Sequence, residues 1–460
     1  MAESGKSNKE KLKVLRWWVL LLVSLTIGAN YYVYDALSSI KSIFQSELGF
    51  TNTEYGWIVA FYALPNLVMT LIGGIILDKW GIRKTGLLFV TLCVFGATLT
   101  AYGASNIYNS GGPGFSFMGS FLSGYSPELK MMITGRFLFG LGAETTIVVI
   151  NAVMVKWFKG RELALAFGIN VSIARIGTAA ALHFSPIFAT SSYGWTSAVW
   201  FAAILMGLGL IFYLIYIYFD KKGDRLNITD QKFNIEEEKF KFKDLGDLLK
   251  NRSYVYVIFL CLIFYSAVFP FLSYTPDLLY NKYGVSMEAS GQMTNIIIYG
   301  SIIFTPLFGW LVDKKGKRAT MMIFGSSLLL IVHLILSLTN ITPYVPMFLL
   351  GIAFSLVPAA MWPSVALIVK ENKIGTAYGL MTSLQNLGLF AFPALAGMIL
   401  DATNKGITAT EVAKGLEFYD YTYTVLMFAG LGLIGLVFAF LLIRAEKGKN
   451  NHGLEQPSID

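Results

Sequence analysis

Charge is what this chain lacks most: 14% of its 460 residues are Asp, Glu, Lys or Arg, whereas a soluble domain carries about 25%. So few charges cannot cover a water-facing surface, which excludes a soluble enzyme of two or three domains. The 55% apolar content excludes a disordered chain. Cysteine is nearly absent. Cys93 and Cys261 both lie in apolar stretches, leaving no disulfide framework and no cysteine metal site. His183, His333 and His452 are scattered, and none falls in an H-E-x-x-H pattern; a G-x-x-x-x-G-K-[ST] phosphate loop is missing too. Neither a metal nor a nucleotide cofactor is expected, nor an enzymatic activity, and energy for any transport must come from gradients.

What the chain has is long apolar runs. A membrane barrel would show alternating segments of about ten residues, whereas runs of about twenty predict helices. These fall near 15–40, 53–77, 84–105, 128–155, 162–188, 195–219, 252–280, 287–312, 318–339, 342–369, 374–400 and 416–443. Twelve spans put both termini on one side of the bilayer, and 29 of the 36 Lys and Arg residues lie on that side. Cytoplasmic loops collect basic residues, so both termini are expected to be cytoplasmic. The net charge of +8 is then topology, and no nucleic-acid partner is implied. The expected organisation is an N-tail 1–14, a six-helix bundle 15–219, a linker 220–251, a second bundle 252–443 and a C-tail 444–460. The linker carries Glu236, Glu237 and Glu238, then Lys239, Phe240, Lys241, Phe242 and Lys243, and reads as a solvated segment with an interfacial helix.

The two halves repeat. Gly74-Ile-Ile-Leu-Asp78-Lys-Trp-Gly81-Ile-Arg83 recurs 235 residues on as Gly309-Trp-Leu-Val-Asp313-Lys-Lys-Gly316-Lys-Arg318. Phe137-Leu-Phe-Gly140 and Phe167-Gly168 recur at an offset of 211 as Phe348-Leu-Leu-Gly351 and Tyr378-Gly379. Duplication about an axis along the membrane normal is a transporter signature. In the repeated loop, glycines are expected to let helices and a tight turn approach, while the acid and base pair across helix ends.

Charges at mid-membrane depth cost about 2.5–3.5 kcal/mol each on insertion scales and mark function. Glu144 sits halfway between Lys130 and Lys156, and Arg175 halfway along the fifth run. Asp35 and Arg136 lie six residues from Lys41 and Lys130, taken as outer boundaries, or about 9 Å at the helical rise. At the offset of 211, Glu144 maps onto Ser355 and Arg175 onto Asn386, so the second half lacks both charges. An asymmetric midplane pair suits an asymmetric charged ligand; a purely structural salt bridge is the competing reading. Asp35, beside Tyr31, Tyr32 and Tyr34, is a candidate proton or gate residue, and Arg136 a gate or structural one. Trp362-Pro363, Gln385 and Asn386 are further candidate contacts, as is the Gln292, Asn295, Tyr299 face.

The repeated loop and Arg136-Phe-Leu-Phe-Gly140-Leu-Gly142 resemble signatures of the major facilitator superfamily. The resemblance implies an all-α membrane protein of twelve helices in two pseudo-symmetric six-helix bundles, working by alternating access. Gly74, Asp78, Gly81, Arg83, Gly309, Asp313, Gly316 and Arg318 would then be conformational residues. Tyr34-Asp35, Gly135 through Glu144, Ser172-Ile-Ala-Arg175-Ile-Gly177, Trp362-Pro363 and Gln385-Asn386-Leu-Gly388 more closely resemble the family of lysosomal dipeptide transporters. This implies dipeptide uniport, with Glu144 and Arg175 holding the peptide termini; Tyr31, Tyr34, Trp362, Gln385 and Asn386 stay as the further candidate substrate contacts. An organic-anion exchanger of the same fold, or a membrane sensor or scaffold, are the alternatives. The family's accessory glycoprotein subunit follows from the resemblance alone. The N-tail departs from the animal proteins in lacking an acidic dileucine, and the Lys/Asn/Ile-rich polar segments suit a bacterial cell membrane, with a lysosomal membrane as the alternative.

Overall fold

The computed structural model describes residues 2–159, 162–225, 242–447 and 451–457. Half of the predicted linker, residues 226–241 with Glu236 to Lys241 among them, lies outside the described residues. Everything described is helix, turn or coil, with no strand. Eleven helical stretches are long and apolar enough to cross a membrane. One of them, Asn66–Gly103, is two spans joined at Gly81, whose φ of 73° and ψ of 166° are not helical. A positive φ of this kind is open to glycine and costly for other residues, so the loop motif's central glycine ends the second span and starts the third. The chain is an all-α membrane protein of twelve spans in two pseudo-symmetric bundles.

Two predicted helices are interrupted. The first, expected to run to residue 40, stops at Asp35 and resumes as a short 3-10 turn, Ser38–Ile40, and a helix, Lys41–Leu48. The second, expected unbroken over 53–77, is Asn52–Ala60, then turns over 61–65, then a helix from Asn66. Pro65 accounts for the second break, since it has no N–H to donate and disfavours the helical conformation at Leu64.

The compact units do not follow the linear halves. One comprises Met1–Ala36, Ile72–Ala181 and Thr196–Glu236; the other comprises Leu37–Leu71, Leu182–Trp195 and Glu237–Asp460.

In the first unit the first helix, Ala2–Asp35, lies parallel to the fifth span, Leu163–Ala189. Arg16 pairs with Glu162 at 2.8 Å, and the Ser24 hydroxyl donates to Asn170 at 3.0 Å, both at a separation of 146 residues. A little further along, a methyl group on Gly177 would overlap the backbone of Gly28, so the two helices touch main chain to main chain. The fourth span, Pro127–Phe158, meets the third in the same way: Gly135 abuts Thr100 and Gly96, and Gly142 abuts Phe89 and Cys93.

In the second unit the helix Asn52–Ala60 packs on the eleventh span, Ile374–Thr403. Asp401 accepts from the Asn52 and Thr53 amides at 3.0 and 2.8 Å and from their side chains, satisfying a helix N-terminus. Gly388, which lies 211 residues beyond Gly177, faces Ser266 of the seventh span, Arg252–Tyr283. The repeat seen in sequence is thus a repeat of helix crossings.

Candidate functional site

The glycine face of the fourth span fixes where its charges lie. Glu144 is nine residues from Gly135 and two from Gly142, which turns it roughly 180–200° from the face against the third span. Glu144 is half-buried, as are Arg175, Tyr31, Tyr34 and Asp35. They converge. The Thr178 hydroxyl, one residue past the Gly177 crossing, hydrogen-bonds the Asp35 carboxylate, with Arg175 and Arg136 near enough to act on it electrostatically. The Tyr31 phenol feels Arg175, Glu144 and Asp35, and the Tyr34 phenol feels Asp35, Arg136 and Glu144. Six of the residues singled out in the sequence therefore form one polar cluster on the first, fourth and fifth helices.

Arg136 differs from the others in being only 2% exposed. Its guanidinium donates to the carbonyls of Val33 and Tyr34 at 3.2 and 3.4 Å and lies over the Tyr34 and Phe139 rings at 5.6 and 5.7 Å. The first helix ends at Asp35, so these carbonyls lie in its last turn, where a cation suits both the carbonyls and the helix dipole. Arg136 thereby ties the fourth span to the end of the first helix.

Trp362 and Gln385 lie in the second unit. The Trp362 indole donates to the Tyr265 hydroxyl at 2.9 Å, its carbonyl accepts from Tyr378 at 3.0 Å, and the Tyr265 ring stacks on Phe269. Gln385 is half-buried and accepts weakly from the Cys261 thiol at 3.9 Å. Asn386 is buried and donates to its own helix at Thr382, leaving its carbonyl oxygen without a partner among the described residues. Of Gln292, Asn295 and Tyr299, all on the helix Met287–Lys315, Asn295 is buried and the other two are exposed.

The repeated loops are charge-paired, though not throughout. Arg83 bonds Asp220 and Asp224 at the end of the sixth span, where Lys156 and the Trp157 indole also bond Asp220. Arg318 lies 3.7 Å from Asp313. Asp78 is exposed. The expectation that Gly74 and Gly309 permit close helix approach is not met, since a Cβ on either would meet nothing within 4 Å among the described residues. Only Gly81 and Gly316, both at positive φ, have a backbone reason to be glycine.

Lys41 and Lys130, taken in the sequence as outer boundaries, are both buried. The Lys130 ammonium donates to the carbonyls of Phe121 and Leu122 and is 7% exposed. Lys41 is 1% exposed, with its ammonium 2.7 Å from Asp277 and 2.7 Å from Asn52. Asp277 also accepts from Ser42 and from Tyr421. Burial first, then the Asp277 charge, hold the Tyr421 phenol well above its usual range, so it stays a donor. The rings of Tyr55, Tyr274, Tyr419 and Tyr421 surround the ammonium at 5.2–6.0 Å. Sequence reasoning missed this cluster because a charge near the end of an apolar run reads as an interface residue; the excess of tyrosine near Lys41 and Asp277 was the available signal.

Residues 20–393 and 300–458 match the family model of the Major Facilitator Superfamily. The lysosomal dipeptide transporter MFSD1 of Homo sapiens is 31% identical to this chain over 451 residues, which cover 96% of the chain and 89% of the human protein. The hexuronate transporter of Bacillus subtilis (strain 168) is 24% identical over 429 residues, 90% of this chain and 93% of that protein. A bacterial homologue of the human lysosomal transporter Spinster, inward-facing and unoccupied, has a crystal structure that superposes with a TM-score of 0.67 at 16% identity, covering 94% of this chain and 97% of that one. At that identity the likeness is one of fold.

Proposed function

The chain belongs to the Major Facilitator Superfamily, and we propose from its charged cluster that it carries dipeptides, or zwitterions of similar size, across its membrane by alternating access as a uniporter. One observation carries the reading: Glu144 and Arg175, of opposite sign, both act on the Tyr31 phenol from two different helices, and both are half-buried. An ammonium needs a carboxylate, and a carboxylate is gripped best by the planar fork of an arginine. Two residues of extended chain span at most about 7 Å, a length that side chains on helices packed about 8–10 Å apart can bracket. Glu144 therefore takes the free α-ammonium and Arg175 the α-carboxylate. Tyr31 and Tyr34 flank them, and Trp362, Gln385 and Asn386 remain the further candidate contacts read from the sequence. Asp78 and Asp313, with their loop neighbours, serve the conformational cycle.

The human relative named as a lysosomal dipeptide transporter supports this reading. The hexuronate relative favours a second one, an organic-anion carrier resting on Arg175 and Arg136. Glu144 separates them, because an anion-only site has no use for it. Both termini are assigned to the cytoplasm, in a bacterial cell membrane or, as the human relative's name has it, a lysosomal one.

The test is uptake by purified protein in liposomes. Losing one partner of a buried charge contact costs about 3–5 kcal/mol, or two orders of magnitude and more in affinity. Arg175→Lys should fail nearly as badly as Arg175→Ala, and Glu144→Gln should weaken free dipeptides far more than N-acetylated ones. Stably folded Glu144→Gln and Arg175→Lys proteins that transport dipeptides at wild-type affinity would refute the assignment; full rescue by the double neutral variant would favour a structural salt bridge instead.

A further inference from the structure

The C-tail does not hang free. Leu454 is fully buried, and its carbonyl accepts from the Arg318 amide at 2.8 Å. The Glu455 carboxylate accepts from the Thr320 amide at 3.0 Å and the Thr320 hydroxyl at 2.7 Å, and the Gln456 carbonyl accepts from the Arg318 guanidinium at 3.2 Å. The ninth span, Arg318–Leu338, begins after Lys317, which sits at a φ of 52° and offers no side-chain cap. Its first amides are therefore capped by a segment from elsewhere in the chain, and the carboxylate lies at the positive end of the helix dipole. A methyl group on Gly316 would overlap the Gln456 carbonyl, so the loop is shaped to receive the tail. The other end of the segment is tied as well: His452 bonds Glu446, which also accepts from Ser253.

The duplication shows what this replaces. Arg83, the counterpart of Arg318, is held by Asp220 and Asp224, which belong to a helix and cannot leave it. In the second copy the anchor comes from residues 451–457, which belong to no helix. We propose that residues 451–457 are an autoinhibitory strap. Docked, they tie the end of the twelfth span, Thr422–Glu446, to the loop between the eighth and ninth spans and slow the transport cycle; released, they free that loop. The proposal rests on the transport reading for its rate effect and on geometry for its binding effect.

The experiment compares the full chain with a release variant, Leu454→Asp with Glu455→Ala, and with a Thr320→Cys, Glu455→Cys pair bridged by a short bis-thiosulfonate reagent and freed by reductant. The native Cys93 and Cys261 are buried, which favours selective bridging. Expected are a several-fold rise in dipeptide uptake per folded transporter on release, a fall on bridging that reductant reverses, and faster amide exchange over 316–322 in the release variant. If the release variant folds poorly, the bridged pair decides alone. Uptake indifferent to bridging, or a release variant no faster than wild type at equal folded fraction, overturns the strap. Liposomes of wild-type protein that take up no dipeptide would count against the substrate reading only; the strap would then be judged by amide exchange, and unchanged exchange would overturn it.

Discussion

A single lysine shows how far charge can be taken from water when every partner is in place. Lys41 and Asp277 are 0% and 1% exposed in their side chains, and moving each out of water costs several kcal/mol unless hydrogen bonds and the opposite charge offset it. Asn52, Ser42, Tyr421 and the surrounding rings provide that offset. Lys41→Met alone should destabilise by about 3–5 kcal/mol, because Asp277 is left buried and uncompensated, whereas replacing both residues by apolar ones of similar volume should cost far less. Thermal unfolding in detergent reads this directly: the single variant should melt several degrees below the double. Equal midpoints would mean the pair contributes nothing as a pair.

Helix crossings, at the next scale, depend on whether an obstacle can move. On Gly177 an added methyl meets the backbone of Gly28, which no rotamer change can relieve; on its repeat, Gly388, it meets chiefly the Ser266 hydroxyl, the end of a side chain. Overpacking a tight contact costs about 1–3 kcal/mol, so Gly177→Ala should be the more damaging of the two, in stability and still more in uptake. Forcing the first and fifth helices apart separates Thr178 from Asp35 and Arg175 from Tyr31. Similar uptake by Gly177→Ala and Gly388→Ala would show that this crossing does not position the cluster. Pro65 and Gly81 teach the complementary lesson. Apolar runs reveal that a helix exists, but its breaks come from single residues whose effect is local and easily overlooked inside a run that stays apolar on both sides.

For the whole molecule the open quantity is what moves with the substrate. Asp35 and Glu144 are both protonatable, yet Asp35 is already engaged by Thr178, and the uniport proposal gives it a gate's role with no proton to carry. Dipeptide entry should therefore proceed without stoichiometric proton movement. A pH-sensitive dye inside the liposomes checks it: lumenal acidification strictly in step with uptake, abolished in Asp35→Asn, would establish symport.

The membrane class, the twelve spans, the duplication and the candidates Glu144 and Arg175 were all legible in one dimension. Run length is set by bilayer thickness, a repeat by its offset, and an intramembrane charge by the apolar residues on either side of it. Tertiary structure alone decided which charges meet. Lys41 and Asp277 are 236 residues apart, and Arg83 and Asp220 are 137 apart. No local pattern announces such a pair. Its stability comes from excluding water around two particular side chains, and that condition exists only once the helices carrying them have packed.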